Sequence, residues 1–128
     1  MPEWVFPISP VAASRPRVSR HGAYFAGPYK TFRAEAVEVI EFVLGPEFDP
    51  YYSPIHVDVE LFIRRPKSTK LDMPRADIDN FLKAVLDSLN KKLWVDDNII
   101  QSVYATKQWA APGEEGYFTV GVNDIELP

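Results

Sequence analysis

Hydrophobic and polar positions alternate most regularly over Ile55–Ile63, where every second residue is a large aliphatic one. An alternation with a period of two predicts a strand that buries one of its faces. A shorter alternation of the same kind predicts a strand over Glu3–Ile8. Two further strands are expected near Ile100–Trp109 and Tyr117–Val122, on either side of a turn rich in glycine and proline.

Apolar residues at helical spacing predict two amphipathic helices. The first is expected over Tyr29–Leu44, and the second from about Asn80 to Asn90, with Asp79 as its N-cap. The resulting order is β-α-β-α-β-β. It predicts an α+β fold in which the two main helices pack on a mixed β-sheet. The 128 residues suit a single domain, residues 1–128, with one hydrophobic core.

Composition and the absence of cysteine narrow the class of protein. The chain is 46% hydrophobic and 25% charged, as is usual for soluble globular proteins. Without cysteine, disulfides, thiolate zinc sites and cysteine nucleophiles are excluded. The N-terminus lacks the pattern of a signal peptide, and no apolar run approaches the roughly 20 residues that span a bilayer. We therefore expect a soluble, cytoplasmic protein that does not interact with membranes.

Charge is segregated along a chain whose net charge is only −4. No acidic residue lies between Glu3 and Glu35, and the expected basic loop Pro10–Pro28 falls in this interval. A second basic cluster spans Arg64–Arg75 and is interrupted only by Asp72. Such segregation is compatible with a positive surface beside a negative pocket, and equally with two solvated basic loops.

The strongest candidate chemistry lies in the segment Asp77-Ile78-Asp79, four residues before Lys83, together with the later pair Asp96-Asp97. In an extended backbone the carboxylates of Asp77 and Asp79 would point to the same side, and a divalent cation would relieve their repulsion. Mg²⁺ prefers such oxygen ligands. Each feature also has a structural interpretation, as a helix cap, a turn or a surface ion pair. From the residues alone both interpretations stay open.

The stretch from Asp77 to Asn90, followed by Leu93-Trp94-Val95-Asp96-Asp97, resembles the core signature of the RusA family of Holliday junction resolvases. That signature is Asp-x-Asp-Asn-x-x-Lys-Ala, an amphipathic helix, and an aromatic-containing approach to Asp-Asp. The upstream segment Ser14-Arg-Pro-Arg17 resembles a basic Arg-Pro-Arg segment found in many members. The resemblance covers the middle third of the chain closely and the order of elements loosely. The acidic net charge departs from what tight nonspecific DNA binding would favour.

The resemblance implies a metal-dependent endonuclease that resolves four-way DNA junctions by paired phosphodiester hydrolysis, in recombination and repair. It implies that Asp77, Asp79 and Asp97 bind Mg²⁺, with Mn²⁺ as a substitute, and that Lys83 is the basic residue near the scissile phosphate. Whether Asp96 shares the role of Asp97 stays open. A homodimer is implied as well. Charge segregation adds candidate DNA contacts at Arg15, Arg17, Arg20, Lys67, Lys70 and Arg75.

Two alternatives remain at this point. One is a metal-dependent phosphoesterase that acts on nucleotides or on other branched DNA, such as flaps. The other is a catalytically silent DNA-binding homologue in which the carboxylates serve only as caps and turns. The two histidines, His21 and His56, have no identifiable partner in the sequence and are interpreted as structural.

Overall fold

The computed structural model describes residues 1–25 and 27–125, and its main feature is a four-stranded sheet that carries both helices on one face. The strands are β1 (Glu3–Phe6), β2 (Arg17–Ser19), β3 (Gly22–Tyr24), β4 (Ile55–Ile63), β5 (Ile100–Trp109) and β6 (Tyr117–Asp124). The helices are α1 (Gly27–Leu44) and α2 (Ile78–Leu89), with a short 3₁₀ helix over Asp97–Ile99.

The main sheet has the strand order β1-β6-β4-β5. β4 is parallel to β5 and antiparallel to β6, so the sheet is mixed. Parallel neighbours need a long crossover connection, and here α2 lies within the connection from β4 to β5. β2 and β3 form a separate two-stranded hairpin.

The core lies between the helices and one face of the sheet. The buried residues of β4 alternate, from Ile55 through Val57 and Val59 to Leu61, as the period of two requires. Burying this face together with the apolar sides of α1 and α2 removes apolar surface from water, which is the main favourable contribution to folding. The same packing places α2 against β5.

The α+β class, the mixed sheet and the packing of two main helices are as predicted from the sequence. Two local predictions are wrong. The basic stretch Pro10–Pro28 is not only loop, because it contains the hairpin of β2 and β3; Ala26, within this stretch, lies outside the described residues. The second helix begins at Ile78, two residues earlier than predicted. Neither described helix has a sufficiently long apolar stretch to cross a membrane.

Candidate functional site

The segment that enters α2 is fastened to β5 by two side chains. The ammonium group of Lys107 donates a hydrogen bond to the carbonyl oxygen of Ala76 at 2.7 Å. The indole N–H of Trp109 donates to the carbonyl oxygen of Leu71 at 2.9 Å. Both donors lie on the same side of β5, two residues apart. They hold the chain immediately before Asp77 in one place.

Asp77 is the N-cap of α2, and its side chain makes no capping hydrogen bond. Asp79 follows in the first turn, and both residues are exposed. The expectation that Asp79 caps the helix is therefore wrong, as is the expectation of an extended backbone through the pair. Both residues are aspartates and would be equally favourable at the N-cap position, so the sequence alone did not distinguish Asp77 from Asp79. Both carboxylates lie at the positive end of the helix dipole.

Asp97 is held by two hydrogen bonds from different directions. The indole N–H of the fully buried Trp94 donates to Oδ1 of Asp97 at 2.6 Å. The backbone N–H of Asp97 donates to the side-chain oxygen of Asn90 at 3.0 Å. Its neighbour Asp96 instead accepts the backbone N–H of Asn98 at 3.0 Å and caps the 3₁₀ helix. The two adjacent acids thus have different surroundings.

The carboxyl group of Asp97 lies in a negative environment. Burial raises its pKa above the ordinary value of 3.8, and the hydrogen bond from Trp94 acts in the opposite direction. The negative charges of Asp87 and Asp96 raise the pKa further. A cation near Asp97 would relieve this unfavourable arrangement of charge.

Asp97 and the Asp77–Asp79 pair lie at opposite ends of α2. Asp97 contacts Asn90, the C-cap of the helix, whereas Asp77 is the N-cap. At a rise of about 1.5 Å per residue, the helix separates Asp79 from Asn90 by roughly 16 Å. Among residues 1–25 and 27–125 no group of three or more acidic or histidine side chains is arranged to hold a metal ion. A single chain therefore does not bring the three predicted ligands together.

Lys83 shares a cavity of about 350 Å³ with the start of the basic segment. The cavity is lined by Ser14 and Arg15 on one side and by Asn80, Lys83 and Asp87 on the other. A backbone hydrogen bond of 2.9 Å from Ala13 to Asn80 holds the two sides together. Lys83 takes part in none of the ion pairs found in the described part of the chain. The cavity is thus lined by two cationic side chains, Lys83 and Arg15, and by one carboxylate, Asp87.

The other predicted DNA contacts are all exposed and fall into two groups. Arg17 is in β2 and Arg20 lies at the tip of the hairpin. Lys67, Lys70 and Arg75 lie in the connection that leads from β4 to Asp77. The second group lies on the segment that leads into α2, and the hairpin of the first group is connected to α2 by the hydrogen bond from Ala13 to Asn80.

Sequence analysis missed several residues with defined roles. His56 has two partners, since one ring nitrogen lies 2.6 Å from the Ser102 hydroxyl and the other 2.8 Å from the Asp58 carboxylate. Ser102 lies on the neighbouring strand β5, which alternation alone does not pair with β4, whereas Asp58 is two residues along β4 itself and shares its face, a signal that the sequence did contain. Lys107 gave no comparable signal, because its pairing with the buried Leu61 of β4, which places it on the side of the sheet where a lysine requires a partner, is seen only in the structure.

Comparison with known proteins gives one result. A family model described as "Endodeoxyribonuclease RusA" matches residues 7–115, which is most of the chain and includes both Asp segments and Lys83. No curated protein matches the chain.

Proposed function

The chain belongs to the RusA endodeoxyribonuclease family, and from this premise we propose that it is a Mg²⁺-dependent endonuclease that resolves Holliday junctions. It would cut by paired phosphodiester hydrolysis during DNA recombination and repair, in the cytoplasm of a bacterium or of a phage-infected cell. The observation that carries the proposal is the surface of α2. There the exposed carboxylates of Asp77 and Asp79 precede a cavity that is lined by both Lys83 and Arg15.

The donor chemistry supports Mg²⁺, with Mn²⁺ as a substitute. Asp77, Asp79 and Asp97 offer only carboxylate oxygens, the ligands that Mg²⁺ prefers. Bound there, the ion would lower the pKa of a water molecule and neutralise charge on the phosphoryl oxygens. Asp97 is the better candidate of its pair, because the buried Trp94 indole orients its carboxylate as a supporting group orients a metal ligand, whereas the Asp96 carboxylate caps the 3₁₀ helix.

A homodimer could bring together the proposed metal ligands, which lie at opposite ends of α2 within one chain. If a two-fold axis crosses α2 near its middle, the helices of two chains run antiparallel and the N-terminus of one faces the C-terminus of the other. Asp77 and Asp79 of one chain would then lie near Asp97 of the partner subunit. Closed two-fold dimers are the commonest oligomers of soluble proteins. Two sites related by such an axis suit a junction that needs paired nicks in opposed strands.

The remaining side chains have roles that follow from charge and position. Lys83 would place a positive charge where negative charge develops on the phosphate in the transition state. The basic residues of both segments would contact phosphates of the junction arms: Arg15, Arg17, Arg20, Lys67, Lys70 and Arg75. Phosphate contacts hold and orient the DNA without selecting sequence. The acidic residues near Asp97 belong to other parts of the sequence than these basic segments. A chain with a net charge of −4 can therefore still have a positively charged surface that binds DNA.

The function is tested with end-labelled four-way junctions, three-stranded flaps and plain duplex, each incubated with the purified protein with and without Mg²⁺. We expect symmetrical cuts in the four-way junction that depend on Mg²⁺. Faster cutting of flaps than of junctions would favour the alternative branched-DNA nuclease. Binding of junctions without cutting under any divalent cation would favour the catalytically silent homologue.

Replacing both Arg15 and Arg17 with alanine is expected to weaken the salt dependence of junction binding. Each phosphate contact that is lost should reduce the slope of log affinity against log salt by roughly one unit, because fewer counterions are released. The slope is measured by fluorescence anisotropy from low to physiological salt. Arg64→Ala is the matched control, because that arginine lies 3.6 Å from Glu115 and its charge is offset. An unchanged slope in the double variant would mean that the segment does not touch the DNA backbone.

Trp94→Phe is expected to lower cleavage by roughly ten- to hundredfold, the range found when a group that orients a metal ligand is removed. Phenylalanine keeps most of the buried ring but cannot donate to Asp97. Part of the loss should be recovered at higher Mg²⁺, since the variant weakens the ligand rather than deleting it. The control is Trp4→Phe, which changes a half-buried indole that packs on Phe48 and Tyr51. Equal cleavage by the two variants would contradict a role for Trp94 in holding Asp97.

A further inference from the structure

The hairpin of β2 and β3 stands apart from the rest of the fold. All six of its strand residues are exposed, and Val18 retains 83% of its side-chain accessibility. The hairpin pairs only with itself, as a two-stranded sheet outside the main one. An element that buries so little contributes little to the core, so interactions other than core packing must hold its conformation.

The tip of the hairpin is nevertheless well defined by local bonds. The Ser19 hydroxyl accepts the backbone N–H of His21 at 3.1 Å and donates to the carbonyl oxygen of Gly22 at 3.3 Å. Gly22 has a φ of 110°, which favours glycine at this position. Arg20 and His21 therefore lie on a turn that local hydrogen bonds hold in one conformation, so little conformational entropy of the backbone is lost if they bind a partner.

The base of the hairpin is anchored on both helices. Before β2, Ala13 is hydrogen-bonded to Asn80 of α2. After β3, the Phe25 ring packs edge-on against Tyr29, with ring centroids 5.1 Å apart. The guanidinium group of Arg33 lies over the Phe25 ring at 4.4 Å, and this cation–π contact also attaches the end of the hairpin to α1. The hairpin therefore projects from the cavity that holds Lys83.

The chemistry of the hairpin is suited to DNA. No acidic residue occurs between Glu3 and Glu35, so Arg17 and Arg20 act without a local counter-charge. Arg17 is paired across the strands with Tyr24, which places a cation and an aromatic ring on one face. Val18 is paired with Ala23 on the other face, which is small and apolar. Arginine recognises guanine edges, and small apolar groups contact the thymine methyl.

Resting on the nuclease function proposed above, we propose that the β2–β3 hairpin enters the major groove of a junction arm next to the cleavage site. From Arg17 to Arg20 the strand reaches about 10 Å at roughly 3.3 Å per residue. The major groove is about 12 Å wide and 8.5 Å deep, and it admits a two-stranded ribbon. The minor groove, about 6 Å wide, is too narrow for two strands with side chains. Arg20 and His21 would then meet base edges, while Arg15 at the base contacts phosphate.

The proposal is tested by methylation interference on a four-way junction without divalent cation, so that no strand is cut. Dimethyl sulfate modifies guanine N7 in the major groove and adenine N3 in the minor groove. We expect guanine N7 methylation in one arm to block binding of the wild-type protein. The double variant Arg20→Ala/His21→Ala should bind roughly five- to hundredfold more weakly, and the same methyl groups should no longer interfere.

Several outcomes would overturn the proposal. Interference confined to adenine N3, or guanine N7 interference of equal strength in wild-type and double variant, would show that the hairpin does not read the major groove. Either result leaves junction binding intact, so the proposed nuclease function would stand. Failure of the wild-type protein to bind the junction would instead overturn both proposals. Because the substituted residues are exposed, circular dichroism should show a fold unchanged from the wild type.

Discussion

Asp77→Asn is expected to abolish strand cleavage, with a loss of roughly a thousandfold in the rate of nicking. The substitution removes the charge of a metal ligand and leaves the volume of the side chain unchanged. Folding should be little affected, because Asp77 is exposed and its side chain makes no capping hydrogen bond. Junction binding should remain close to that of the wild-type protein. Cleavage is measured on a labelled junction in Mg²⁺, and binding is measured separately without it.

Three further variants sharpen this result. Asp79→Asn should lose cleavage as well, with little change in melting temperature, since asparagine is tolerated near a helix start. Asp96→Asn should retain cleavage, because asparagine can still accept the Asn98 N–H that caps the 3₁₀ helix. Asp49→Asn, at an exposed acid outside the site, is the control for loss of one negative charge. Wild-type cleavage by Asp77→Asn would contradict the metal-site proposal.

Most of the fold was predictable because its elements have one buried and one exposed face. β4 begins and ends where the sequence analysis placed it, since alternation over nine residues leaves no ambiguity of period. β5 also has the expected bounds, although its burial does not alternate. The β2–β3 hairpin was missed for the opposite reason. It is exposed on both faces, so no hydrophobic alternation marks it, and only the His21-Gly22 pair hints at a turn.

The residues of the candidate site were proposed from the sequence, whereas their arrangement could not be. The spacing of Asp77, Asp79 and Lys83 is local, and a helix fixes their relation once its start is known. The position of Asp97 depends on tertiary contacts with Trp94 and Asn90, which the sequence does not reveal. Those contacts put Asp97 at the far end of α2. The separation of the carboxylates within one chain is thus a result of the structure alone.

Mixing the inactive variants Asp77→Asn and Asp97→Asn is expected to restore cleavage if each site is built from two chains. In a mixed dimer one site carries both substitutions, and the other combines the intact Asp77 and Asp79 of one chain with the intact Asp97 of its partner. With random exchange, about half of the dimers are mixed, so about a quarter of the sites recover. Each mixed dimer has one active site, and the product should be a singly nicked junction rather than two resolved duplexes.

The matched control for this experiment is a mixture of Asp77→Asn with Asp79→Asn. Both substitutions affect the same half of the site, so every site in a mixed dimer stays damaged and cleavage should not return. Affinity tags of two kinds verify that the subunits have exchanged. A site contained within one chain predicts no activity in either mixture, and this outcome would contradict the antiparallel dimer. Light scattering that reports only the 14.6 kDa monomer at micromolar concentration would contradict it independently. If cleavage returns when Asp77→Asn is mixed with Asp97→Asn, but not when it is mixed with Asp79→Asn, then Asp97 completes the site of the partner subunit. Only substitutions in the parts contributed by different chains can compensate for each other.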